Sequence, residues 1–517
     1  MTATLSSLVE VAGGRLEAPE GASHEDLAIA EIGLDSTQLP SGGLFAALPG
    51  TRSHGASFAA STPAAAVLTD EAGLSILQGE GYAKPVIVVD NVRDVLGFVA
   101  AEIYGHPSRD MTIIGVTGTS GKTTTSYLIE SGLIAAGANV GLIGTTGTRI
   151  NGEPVPTKLT TPEATTLQAL FSRMRDRGVT HVVMEVSSHA LSLGRVRGTD
   201  FDVAGFTNLS QDHLDFHATM EEYFEAKALF FDPASPMCAK KAVICIDDEW
   251  GEKMAARAQD PTTCTTVGKQ ADIAAVDIKA EPSGAQRFTL TFADRSLDVE
   301  LPLPGRFNVA NATLALSLID AVGGDTAAAA KGIAGVGVPG RMEKIDEGQD
   351  FLAVVDYAHK PAAVAAVLDT VRAQVDGKLI VVVGAGGDRD AGKRPIMGAE
   401  AVRRADLVII TDDNPRSEDP ATIRAAVLEG ANSALKEEAP AARGTRVMEI
   451  GDRREAIREA IRSAGTGDGV VVAGKGHEVG QLIAGVNHHF DDREEVRAAL
   501  TDPTLSPSGN HPESKKR

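Results

Sequence analysis

The chain alternates short apolar runs with longer segments in which apolar residues recur every three or four positions. From residue 111 onward the pattern is strand, helix, strand, which predicts a parallel sheet covered by helices. The runs 111–116, 140–144, 181–186 and 203–206 are predicted strands, and 124–136 is a predicted helix. Thr160-Thr161-Pro162-Glu163 reads as a helix start, with Thr161 as N-cap and Pro162 in the first helical position. Between 272 and 303 the alternation weakens and predicts antiparallel strands or an insertion. A second α/β unit begins near Val338-Pro339-Gly340-Arg341, with predicted strands at 351–355, 379–383, 407–411, 447–450 and 470–473. The early part of the chain mixes strand-like runs (44–48, 65–68, 85–89) with turns rich in Gly and Ser. No internal repeat is visible.

These patterns give an α/β protein of three domains. A small N-terminal α/β domain spans 1–107, and a central parallel-sheet domain spans 108–337. A C-terminal Rossmann-like α/β domain spans 338–500, and 501–517, with its Pro, Gly and final Lys-Lys-Arg, is a disordered tail. A chain of 517 residues is too long for one core.

Polar residues gather just past the carboxyl ends of the predicted strands, where open α/β sheets bind ligands. The first such cluster is Gly118-Thr119-Ser120-Gly121-Lys122-Thr123-Thr124, between a strand and a helix. Glycines let backbone N–H groups approach oxyanions, and the helix N-terminus adds partial positive charge. Lys122 is placed to reach the β- and γ-phosphates, and the Thr123 hydroxyl to hold magnesium. The fit to the usual phosphate-loop spacing is not literal, because Val116 stands where its first glycine belongs. An ATP-type nucleotide is the expected ligand.

Composition narrows the class. Charged residues are 23% and hydrophobic ones 43%, as in ordinary soluble globular proteins. The net charge of −21 argues against sequence-independent nucleic-acid binding. Cys238, Cys245 and Cys264 form no C-x-x-C pair, which points to a reducing compartment. No signal peptide and no membrane span of ~18–20 apolar residues is visible. A cytoplasmic protein is expected.

Further loops carry candidate chemistry. Glu185 and His213 lie at the mouths of strands in the same predicted sheet, and both residue types ligate metals. A capping or salt-bridged carboxylate is the plainer reading of Glu185. Lys227 falls on an amphipathic helix and by default is solvated. His54 reads as a surface residue. Asn308 and Asn311 open a helix, as caps or as contacts to a base. In the second unit three charged loops follow strands: 384–390, 412–416 and 474–478. Together they suggest a charged small substrate.

This ordered set resembles the Mur ligase family, and within it the UDP-N-acetylmuramoyl-tripeptide synthetases of peptidoglycan synthesis. The resemblance rests on Gly118 to Thr124, Glu185-Val186-Ser187-Ser188-His189, Asp212-His213-Leu214-Asp215, Ala226-Lys227, Gly340-Arg341-Met342-Glu343, Asp356-Tyr357-Ala358-His359, Gly386-Gly387-Asp388-Arg389-Asp390, Asp413-Asn414-Pro415-Arg416 and Gly474-Lys475-Gly476-His477-Glu478. It implies a UDP-sugar-binding first domain, a central ATP and magnesium domain, and a last domain for the incoming amino acid. It further implies that Ser36, Thr160, Thr161, Ser187 and Arg195 contact UDP-N-acetylmuramoyl-L-alanyl-D-glutamate, and that Asn308, Arg341 and Asp356 contact ATP. Arg389, Asp413, Asn414, Pro415, Arg416, Gly474 and Glu478 would contact meso-diaminopimelate. Thr123 and Glu185 would hold one magnesium ion. His213, with Lys227 carbamylated by carbon dioxide, would hold a second. Three positions depart from the family pattern: Leu193 where Gln is frequent, Lys360 where Thr is usual, and Thr37 where Arg is often seen.

The implied reaction is ATP-dependent amide formation through an acyl phosphate, giving ADP and phosphate, by a monomer with no membrane span. The alternatives are the same chemistry with L-lysine, or a ligase like folylpolyglutamate synthetase. A GTPase switch is disfavoured because the chain has no N-K-x-D segment.

Overall fold

The computed structural model describes residues 3–19 and 24–505. Three larger sheets organise it, one after another along the chain.

The central sheet has eleven strands. Its middle is parallel, in the spatial order Val140–Gly144, His181–Glu185, Thr112–Thr117, Val203–Phe206, Ala242–Cys245, Thr262–Thr265 and Ile273–Ala280. Thr112–Thr117 and its neighbours are apolar on both faces, as strands covered on both sides must be. One core packs Leu128, Leu133, Leu314 and Leu318 on one face, and another packs Leu167, Phe171, Tyr223 and Phe230 on the other. Antiparallel strands close both edges. Gln286–Thr291 and Ser296–Leu301 therefore extend this sheet, so the weak pattern at 272–303 is sheet rather than insertion.

The C-terminal sheet runs Glu343–Lys344, Leu352–Asp356, Gly469–Ala473, Leu379–Val383, Leu407–Ile410 and Arg446–Glu449, and only its first pair is antiparallel. The N-terminal sheet has five short strands between Arg15–Glu17 and Ile32–Gly33. Arg93 faces Glu163 at 3.6 Å, linking that unit to the central one.

Several expectations change. The helix after Thr161 is Ala164–Asp176, with Glu163 as an extended N-cap. Thr161 does not cap it, because its hydroxyl donates to Glu185 O at 2.8 Å instead. Lys227 lies on Met220–Ala228 but is buried, with 1% of its surface exposed. His54 is not a surface residue: it accepts from Ala56 N, caps Gly55–Ser61 and faces Asp70 at 3.1 Å. Asn308 lies inside Arg306–Ala321, and its amide donates to Pro304 O rather than capping through its oxygen. The helix Asp492–Thr501 runs past residue 500, and Leu505 is buried in the last core. The rest of the expected tail, 506–517, lies outside the described residues.

Candidate active site

The strand Thr112–Thr117 sits between His181–Glu185 and Val203–Phe206, so three strand ends open into one place. The turn after the central strand needs glycine twice. Gly118 has φ 141° and Gly121 φ 91°, where a side chain is strained. A Cβ on Gly118 would also run into the Thr207 hydroxyl, and one on Gly121 into Asn311 Oδ1. The helix Lys122–Ala135 starts two residues earlier than the pattern suggests, because Gly121 is its cap.

A cleft of about 880 Å³ opens here, bounded by the central and C-terminal units. Lys122 Nζ donates to Gly118 O at 2.8 Å and Thr119 O at 3.1 Å. The Thr123 hydroxyl donates to Glu185 Oε1 at 2.9 Å. Thr145 fixes the same carboxylate, from its N–H at 2.8 Å and its hydroxyl at 2.9 Å. Glu185 is thus neither a helix cap nor a salt-bridge partner. Arg341 reaches in from the C-terminal unit, 3.3 Å from the Thr123 hydroxyl and stacked 4.2 Å over the Tyr357 ring. Asp356, its carboxyl raised by burial, accepts from Met342 N at 2.7 Å and Ala358 N at 2.8 Å. These bonds tie the turn at 340–342 to the end of Leu352–Asp356.

Desolvation pushes the Lys122 ammonium down to about 8, and Lys360 adds to the push. Burial, with Lys122 and Lys360 nearby, drives Lys227 well below an ordinary lysine. Lys227 Nζ donates to Gly118 O at 3.0 Å and lies 4.5 Å over the Tyr223 ring. The His213 ring meets that ring edge-on, with centroids 5.9 Å apart. Desolvation lowers His213, and Lys360, Lys227 and Lys122 lower it further against the opposing Asp212, so the imidazole is neutral.

Thr123 and Glu185 supply the hard oxygens magnesium prefers, and the pair fits one ion. Among the described residues no three His, Cys, Asp or Glu side chains converge as a metal site. His213 and an ammonium at Lys227 do not make a second site, whereas a carbamate on Lys227 would supply the missing oxygens.

Thr160, Thr161, Ser187 and Arg195 line the cleft together with Asn308, Arg341, Asp356 and Arg389. Ser36 is not among the lining residues; it is half-buried in the N-terminal unit. Asp413, Asn414, Arg416, Gly474 and Glu478 form an adjoining cluster at the mouth of the C-terminal sheet. Asn414 Nδ2 donates to Glu478 Oε2 at 2.8 Å, and Lys475 Nζ donates to Asn414 Oδ1 at 3.1 Å. Arg416 donates to Gly387 O. Asp412 pairs with Arg424.

Four of the nine described non-glycine residues with positive φ, His213, Met342, Asp388 and Arg416, lie in these loops. Sequence reasoning assigned no role to Thr145, Tyr223, Lys393 or Lys360. Thr145 follows the strand Val140–Gly144, so the strand-end rule could have found it. Nothing in the local pattern marked Lys393.

The chain is similar to known proteins along most of its length. The model for the Mur ligase middle domain matches residues 116–319, and that for the Mur ligase, glutamate ligase domain matches residues 340–476. The UDP-N-acetylmuramoyl-L-alanyl-D-glutamate–2,6-diaminopimelate ligase of Corynebacterium glutamicum is 67% identical over 480 residues, covering 92% of each chain. The ligase of the same name from Corynebacterium efficiens is 64% identical over 97% of this chain and 95% of its own. A solved structure of a UDP-N-acetylmuramoyl-L-alanyl-D-glutamate–2,6-diaminopimelate ligase aligns with a TM-score of 0.66 at 35% identity, over 97% of this chain and 99% of that one. With two family models in sequence and relatives this similar along almost the whole length, the chain belongs to the Mur ligase family.

Proposed function

We infer that the protein joins meso-diaminopimelate to UDP-N-acetylmuramoyl-L-alanyl-D-glutamate through an amide bond, using ATP and releasing ADP and phosphate, in peptidoglycan synthesis. The observation that carries this is the identity of 67% to a ligase of that name over nearly the whole chain.

A free carboxylate does not form an amide directly, because hydroxide or oxide is too poor a leaving group. The D-glutamyl carboxylate therefore attacks the γ-phosphorus of ATP. An O–P bond forms, the bond to the β-phosphate oxygen breaks, and ADP leaves with the electron pair. The diaminopimelate amine then attacks the acyl carbon, loses a proton, and expels phosphate. Positioning and charge neutralisation dominate such transfers. Lys122 faces the phosphates, and the backbone N–H groups of the loop cradle them. Asn308, Arg341 and Asp356 support the nucleotide. Magnesium, when bound, neutralises phosphate charge; Thr123 and Glu185 would hold one ion, and His213 with carbamylated Lys227 a second. Thr160, Thr161, Ser187 and Arg195 orient the nucleotide-sugar, with Ser36 at its uridine end. Arg389, Arg416 and Glu478 receive the diacid, flanked by Asp413, Asn414, Pro415 and Gly474.

The reading keeps the protein a cytoplasmic monomer. Among the described residues no helix is long and apolar enough to cross a membrane. The test is a panel of UDP-sugar peptides against amino acids, followed by phosphate release and product mass. Turnover without the UDP-sugar, AMP as product, or equal use of L-lysine would each overturn the corresponding part.

A further inference from the structure

Three buried lysines crowd this site beside Lys122, and the reaction as described uses only one of them. Lys227 is 1% exposed, Lys360 7% and Lys393 6%. Lys360 comes from the C-terminal unit, where it is the extended N-cap of Pro361–Arg372. Its side chain crosses to the central unit. Nζ donates to Thr119 O at 3.0 Å, the carbonyl that Lys122 Nζ approaches at 3.1 Å. Two ammonium groups thus converge on one phosphate-loop carbonyl. Asp212 Oδ2 lies 2.8 Å from Lys360 Nζ, and Asp212 Oδ1 lies 3.8 Å from Lys393 Nζ. Asp212 is the one carboxylate within 4 Å of these lysines among the described residues; Glu185 offsets Lys122, and Asp390 and Asp413 offset Lys393, only from farther away.

Burying cations in such excess is unfavourable unless an anion joins them. Lys360 lines the same cleft as Lys122, and so do Ala362, Ala363 and Ala366 from the first turns of its helix. That helix N-terminus adds partial positive charge at the same point. A brace between units needs one ion pair; it does not need a second ammonium on the loop carbonyl beside Lys122.

We propose that Lys360 is a catalytic residue of phosphoryl transfer, its ammonium delivered by the C-terminal unit to the terminal phosphate of the bound triphosphate, beside Lys122. This rests on the reading of the loop as an ATP site. As the carboxylate oxygen bonds to the γ-phosphorus and ADP leaves with the electron pair, Lys360 neutralises the equatorial oxygens. No proton moves in that step. Because the residue belongs to the C-terminal unit, the phosphate site is complete only when that unit is docked on the loop.

The test compares ADP with a non-hydrolysable methylene analogue of ATP, by calorimetry on the full chain with magnesium and no other substrate. Lys360→Met should weaken the triphosphate analogue roughly tenfold to a hundredfold while ADP binds as before. Its kcat for ADP formation with all substrates should fall about 10²-fold or more, and Lys360→Arg should recover part of both. Equal loss for the two nucleotides, or no loss for either, overturns the assignment and makes Lys360 a brace. If Lys360→Met does not fold, Lys360→Thr carries the same comparison; failure of both to fold also overturns it. The binding comparison needs no sugar or amino acid. A chain that shows the split but forms no amide would refute the ligase reading and leave Lys360 assigned.

Discussion

The Thr123 hydroxyl donates to Glu185 Oε1 at 2.9 Å, joining the first turn of the phosphate-loop helix to the end of the neighbouring parallel strand. The same oxygen accepts the Thr145 N–H, so the carboxylate is pinned by groups from two other segments. A side chain so constrained is held in one orientation beside the phosphate loop. Lys122→Ala, Glu185→Ala and His213→Ala should each lower kcat roughly 10²–10³-fold with the fold intact. Steady-state kinetics beside circular dichroism will check this, and near-normal kcat in any variant removes that residue from the mechanism.

Lys227 should carry a carbamate in the active protein. Its nitrogen is buried, donates to one backbone carbonyl, and has no carboxylate in ion-pair reach among the described residues. Bicarbonate-depleted buffer should reduce turnover, and Lys227→Arg should abolish it. Intact-protein mass under non-denaturing conditions, or a high-resolution map, reads the modification directly. A bare ammonium in fully active protein would end the idea.

Arg416 should select diaminopimelate over lysine. The two amino acids differ chiefly by a carboxylate at the far end of the side chain, and a planar guanidinium binds that group bidentately. Desolvation and the nearby Arg389 lower the Arg416 guanidinium, a setting in which an added anion is favourable. Arg416→Ala should lose about 30-fold to several thousand-fold in kcat/KM for diaminopimelate, and much less for lysine. Equal losses would mark it as structural.

Gly121→Ala should destabilise the protein by about 1–3 kcal/mol, since φ 91° strains a side chain there and its Cβ would displace Asn311. Asn311 Nδ2 also holds Asn308 Oδ1 at 3.0 Å, so nucleotide affinity should fall with stability. Urea unfolding with and without ADP separates the two effects.

Arg453 and Asp492 are both fully buried and paired at 2.7 Å, and Arg453 Nη2 also donates to Ala473 O, just before Gly474. Arg453→Met alone should cost about 3–5 kcal/mol, because it strands a buried carboxylate. Arg453→Met with Asp492→Leu should recover much of that stability in a thermodynamic cycle. It should still raise KM for diaminopimelate, because Ala473 O loses its anchor.

Much of this was legible in the sequence, for a physical reason. Val140–Gly144, Val203–Phe206 and Leu379–Val383 are short, uniformly apolar runs closed by polar turns, and their limits match those expected. Strand ends in a parallel sheet must face one side, so Glu185, Asn414 and Glu478 could be placed at or just past strand ends in advance. What stayed hidden depends on contacts distant in sequence. Lys227 looks like any helix-surface lysine until Tyr223 and Gly118 close over it. Thr161 has the composition of a cap, yet its hydroxyl finds Glu185 O across the sheet. The reach of Lys360 to Thr119 spans 241 positions, which no local pattern encodes.

Gly387 N donates to Asn414 O at 2.9 Å, and a Cβ on Gly387 would collide with Pro415 O. The two loops are therefore a single moulded surface, shaped back to back. Anyone re-engineering amino-acid choice by transplanting 413–416 from a lysine-adding relative should expect misfolded loops unless 386–388 travels with it. On the proposed assignment of these residues to the incoming amino acid, the heritable unit of specificity is the pair of turns.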